Sequence, residues 1–151
     1  MAVALENYAT RGVFRGFSRG PATKARASYK MLWHRDRMSE LILDAQRKTL
    51  RIPVVLPQVG PEMFQDFRQF VASRHSVDLP EHRRIDPSKA AVTCANRGGN
   101  AGVTLAVEDG DYEYGVRKLI GLVHEVYMVF LYDGRYYDYM VETFDLDPDR
   151  L

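Results

Sequence analysis

Apolar residues recur along the chain at two different periods, and the changes between them mark out its elements. From Asp111 to Tyr132 the period is helical. At about 100° per residue, Tyr112, Val116, Leu119, Ile120, Val123, Val126, Tyr127, Phe130 and Leu131 share one face, and Leu122 and Val129 widen it. Arg117, Lys118, Gly121, Glu125 and Met128 hold the opposite arc. The apolar arc is roughly 200° wide, about twice what a helix lying on one surface presents. One sheet face covers half of it, so the pattern calls for a second cover, either another helix or a second copy of the chain. Asp109 or Asp111 suits the N-terminus and Asp133-Gly134 the stop. At 1.5 Å per residue the helix is roughly 33 Å long and crosses a small domain.

Elsewhere the period is two. Residues 27–34 alternate Tyr29, Met31 and Trp33 against Ser28, Lys30 and Leu32; a charged turn, 35–37, leads to a second strand over 40–44. After a turn at 45–48, residues 49–56 direct Leu50, Ile52, Val54 and Leu56 to one side. Pro53 cannot donate to a ladder, so this strand is expected at an edge or bulged there. Pro61 fits the first position of a helix running to Arg74, with Met63, Phe64, Phe67, Phe70 and Val71 on one face. A polar loop, 75–88, follows and is long for a compact domain. Residues 89–96 and 102–108 form a hairpin through Arg97-Gly98-Gly99-Asn100, whose glycines supply the positive φ a tight turn needs. A short helix over 135–144 and an acidic tail close the chain.

This order predicts an α+β fold: two layers, an antiparallel sheet of about five strands in the order βββ-α-ββ-α-α, helices on one face, and helix 111–132 central. Residues 1–26 are expected to form an irregular basic arm and 27–151 a single domain. The order of elements is similar to that of type III secretion chaperones and related small dimeric proteins; the likeness is one of topology only.

Composition narrows the classes. With 46% hydrophobic residues in 151 a real core is within reach, and the single cysteine excludes an intrachain disulfide and a cysteine-built zinc site. Residues 1–12 lack a basic segment followed by an apolar one, so no signal peptide is expected, and no run spans a membrane; the expected location is cytoplasmic. The net charge of +1 hides a split. Residues 11–37 hold eight Lys/Arg and one acid, whereas 108–151 hold four Lys/Arg and eleven acids. The preferred reading is attraction between the two ends, within or between chains. The alternative is a nucleic-acid contact through Arg11, Arg15, Arg19, Lys24 and Arg26, with Phe14 and Phe17 interleaved among three Arg-Gly pairs.

Candidate chemistry is sparse. His124-Glu125 lacks the second histidine of a zincin, since Met128 stands there; a boundary histidine bonded to backbone or carboxylate is the preferred reading. Asp109, Asp111 and Glu113 lack the remaining ligands of a calcium loop. Cys94 reads as a small buried residue. The loop holding His75, Asp78, Glu81, His82, Arg83, Arg84 and Asp86 has polar groups enough for a site but no spacing that a reaction demands. No catalytic residue, cofactor or metal is assigned. The dense tyrosines after the long helix suit an interface, and Leu122, Val126, Val129, Tyr136 and Tyr137 are the expected dimer surface. The leading expectation is therefore a homodimeric protein-interaction or chaperone-like module. A nucleic-acid binder using the arm, and a small enzyme with a site near 75–88, are the alternatives.

Overall fold

The computed structural model describes residues 16–22, 26–33, 37–132 and 136–144. Six strands, β1 (Gly16–Ala22), β2 (Arg26–Trp33), β3 (Arg37–Asp44), β4 (Thr49–Leu56), β5 (Ala90–Arg97) and β6 (Asn100–Val107), form one sheet in the order β1-β2-β3-β4-β6-β5, antiparallel throughout. Helix α1 (Pro61–Ser73) joins β4 to β5, α2 (Tyr112–Glu125) follows β6, and α3 (Tyr137–Phe144) ends the described chain. The fold is α+β, as the alternation and helical period require.

Register sorts the side chains into two faces. Leu50 stands opposite Leu105, Ile52 opposite Val103, Val92 opposite Leu105 and Tyr29 opposite Leu41. Leu50, Ile52, Val103, Leu105 and Val107 are all buried, together with Val116, Leu119, Val123 and Val126. The helix comes very close to this sheet. A Cβ on Gly115 would lie 2.7 Å from Leu50 Cδ1 and 2.8 Å from Val107 Cγ2, so glycine is what lets the helix approach this closely without those side chains shifting.

Pro53 lies in a strand paired on both sides, and the expected irregularity is there. Between Ile52 and Leu56 the β4–β6 register shifts, and β3 pairs only with Thr49, Leu50 and Arg51. The distorted segment presses onto β6, where a Cβ on Gly102 would lie 2.3 Å from the Pro53 oxygen. The shift turns Val55, rather than Val54, into the core.

Three expectations need correction. Residues 16–22 are not irregular, because Gly16–Ala22 pairs with β2 as an edge strand; Arg11, Arg15 and Lys24 lie outside the described residues, while Arg19 falls in β1 and Arg26 begins β2. The long helix is not α-helical to its end. It continues as a π turn, Val126–Leu131, closed by the Tyr132 N–H donating to the Tyr127 oxygen. A π turn advances less per residue than an α turn. Phe130 and Leu131 stay on the buried face through it, and Leu131 has no exposure.

The third correction concerns the expected dimer surface. Leu122 and Val126 are buried within one copy, and Val129, Tyr136 and Tyr137 are half-buried. The second cover comes from the chain itself. Phe130 packs on Phe67 and Phe70 of α1 and on Tyr136, at ring separations of 6.0, 5.4 and 5.1 Å. Tyr136 donates to Asp66, Tyr139 to the Pro57 oxygen, and Tyr127 to the Val55 oxygen at 3.2 Å.

Candidate functional site

The 75–88 loop does not hang free. It lies along α2 as a strap and forms a cleft with it. Asp111 caps α2, its Oδ1 accepting from the Tyr114 N–H at 3.2 Å, and this sets the phase in which Tyr114, Lys118, Gly121, Leu122 and Glu125 turn toward the strap. The Asp86 N–H donates to the Tyr114 hydroxyl at 3.0 Å. The Ile85 N–H donates to the Arg74 oxygen at 2.8 Å, and the Ile85 side chain is buried. His75 clamps the strap to the outer sheet strand: the Val92 N–H donates to Nε2 at 3.3 Å, so Nδ1 carries the proton and donates to the Ile85 oxygen at 2.9 Å.

Glu125 closes the inner end. Arg83 Nε and Nη2 donate to its two oxygens at 2.7 and 3.0 Å, a forked pair, and Arg74 Nη1 approaches Oε2 at 3.4 Å. The Arg83 hydrogen bonds hold the Glu125 carboxyl below its ordinary range against the opposing effect of burial. Arg83 is raised by the same bonds. Arg74 is lowered, burial outweighing the attraction of Glu125, and its guanidinium lies 4.3 Å from the Phe70 ring centroid.

Lys118 is the unusual residue. It is only 9% exposed, and Nζ donates to the Glu81 main-chain oxygen at 2.8 Å. Among the described residues its ammonium is in no ion pair; the Glu81 carboxylate attracts it from farther off. Burial and then Arg117 lower its pKa. Lys118, Arg117 and Lys89 all lie within 5.5 Å of the Tyr114 ring centroid, which offsets part of their crowding through the ring's negative face. His82, Arg117 and His124 line the mouth, and all three are exposed.

The inner cleft has a volume of about 210 Å³, and a second hollow of about 420 Å³, bounded by Glu81 and sharing His82, Arg117 and Lys118 with the first, lies beside it. Arg74, Arg83, Arg117 and Lys118 face the carboxylates of Glu125 and Glu81, leaving two positive charges in excess before either histidine is counted. An anion is what such a lining can hold. Among the described residues no three His, Cys, Asp or Glu are grouped to hold a metal ion.

Sequence reasoning named the loop but not its wall. Arg117 and Lys118 appear there only as the polar arc of a helix, and Arg74 only as a helix end. The cationic i, i+1 pair facing a basic loop was the available signal. His124 is exposed and its ring makes no hydrogen bond to the described residues, in contrast to the bonded boundary histidine expected. Cys94 is half-buried, with its thiol pushed up to about 11 by burial. No protein-family model, curated protein or solved structure matches this chain, so the topological likeness to type III secretion chaperones finds no counterpart among them.

Proposed function

We propose that the protein is a non-catalytic interaction module that takes an anionic group of its partner, a carboxylate or a phosphate, into the cleft between α2 and the 81–86 strap. The observation that carries this is Lys118, a buried ammonium in no ion pair among the described residues and beside an exposed guanidinium. Burying a cation is costly, and a ligand anion would offset that cost. Glu125 argues against catalysis. Both of its oxygens are taken by Arg83 and its pKa is depressed, so it makes a poor general base near neutrality.

The test is titration of the full chain with inorganic phosphate and with citrate, followed by calorimetry and amide chemical shifts. Shifts should cluster at Lys118, Gly121 and Arg83. Lys118→Met should weaken binding by about tenfold, as expected when one charge-assisted hydrogen bond is removed, without unfolding the chain. If neither anion perturbs those amides at millimolar concentration, the reading fails.

A further inference from the structure

The helices pack on one face of the sheet, and the other face carries a second concentration of positive charge. Arg26, Arg47, Arg51 and Arg97, from β2, the β3–β4 turn, β4 and β5, surround a shallow depression of about 410 Å³ with Ile42, Asp44, Thr49 and Thr104. Two acids on this face have cations of their own. Asp44 lies opposite Arg26, and Glu40 lies opposite Lys30 across the β2–β3 pair. Asp44 also accepts from the Gln46 and Arg47 amides at 3.1 Å. Neither the Arg51 nor the Arg97 guanidinium has a hydrogen-bond or ion-pair partner among the described residues. Arg51 is nevertheless half-buried, its stem held between Ile42 and Thr104, which stand opposite it on the neighbouring strands.

We propose that this open face binds the phosphate backbone of a nucleic acid, with Arg51 and Arg97 each reaching a phosphate. The two arginines stand on strands separated by β6, so their backbones lie at least roughly 10 Å apart, a span that suits successive phosphates better than a single one. Around them the side chains are small: Ala91, Thr93, Ala95 and Ala106 are exposed, and the Thr49 and Thr104 hydroxyls are available as donors. That surface lets a backbone approach closely. No aromatic side chain occupies this face among the described residues, so bases find nothing to stack on and binding is indifferent to sequence. Among the described residues the exposed large apolar side chains, Val77, Met128 and Tyr132, all lie off the strands.

The experiment is fluorescence anisotropy of the full chain with a labelled mixed-sequence DNA duplex about two turns long, between about 50 and 200 mM salt. The logarithm of the affinity should fall linearly with the logarithm of salt. Arg51→Ala with Arg97→Ala should weaken binding at low salt at least about tenfold and reduce the slope by about two, one for each phosphate left without its arginine. Circular dichroism of the double variant should match the parent. A second duplex of unrelated sequence should bind equally. The proposal is overturned if the duplex does not bind at the lowest salt, or if the double variant binds like the parent. Loss of binding only when Arg11, Arg15 and Arg19 are changed would assign it to the N-terminal segment instead. Association with phosphatidylserine vesicles but not with the duplex would also overturn it.

Discussion

Glu125 couples α2 to the strap, and its state decides whether the cleft has an inner wall. Its folded pKa is depressed, chiefly by the Arg83 hydrogen bonds. A depressed carboxyl contributes stability that is fully present above its ordinary value of 4.5 and is lost as pH falls through the lower folded value. Melting followed from pH 6 to pH 3 should therefore drop across that window, and Glu125→Gln should flatten this part of the profile. Cys94 makes a separate prediction. With its thiol pushed up to about 11, it holds almost no thiolate at neutral pH, so iodoacetamide should label it far more slowly than a free cysteine peptide, and Val92→Ala beside it should speed the reaction. At this scale the sequence revealed little. Arg83 and Glu125 are 42 positions apart, and nothing local to either announces a fork. The Asp111 cap, which acts within three residues, was legible.

Elements show how far local pattern reaches. The hairpin, α1 and the first four turns of the long helix follow from periodicity because their apolar faces and their packing agree. Strand β1 has no such pattern. Two glycines and a proline within Gly16–Ala22 disfavour a strand by propensity, and it is made one by pairing along β2, a tertiary effect. The π turn was hidden too, since an α period already places Phe130 and Leu131 on the buried face. Three glycine substitutions test the close approaches. Gly102→Ala should be the most damaging, since its Cβ would meet strand backbone at 2.3 Å. Gly115→Ala meets side-chain tips at 2.7 and 2.8 Å, which can yield somewhat, and should cost about 1–3 kcal/mol by overpacking. Gly121→Ala has nothing within 4 Å and sits inside a helix, so it should stabilise by roughly 0.5–1 kcal/mol. Denaturant unfolding of the three variants gives the order; a Gly121→Ala protein less stable than the parent would mean that the cleft is narrower than described.

At the scale of the whole molecule, the layers were legible and the site was not. Two periods and short turns are enough to predict a sheet with helices on one face. A cleft between a loop and a helix joined to it only through an intervening hairpin depends on how the strap settles, which period does not encode. The same limit bears on association. The long helix needs two covers, and its sequence does not say whose. In the structure α1 shields Phe130, Tyr136 just before α3 bonds to α1, Tyr139 of α3 bonds to the loop after β4, and Leu131 of the π turn is buried. Of the apolar side chains on this helix and its π turn, only Met128 stays prominently exposed at 47%, with Tyr132 just beyond at 40%. Two such residues fall well short of the roughly 800 Å² per partner that a stable interface buries. Leu122 and Val126 themselves are therefore buried within one copy and offer no exposed surface to a second. The chain should sediment as a monomer at low micromolar concentration in both low and high salt. Met128→Lys should leave its mass and its melting temperature unchanged, because that side chain already faces water. A dimer that persists in high salt but dissociates in the Met128→Lys variant would show that this small patch is sufficient. A dimer lost only in high salt would point instead to the opposed charges of the two chain ends.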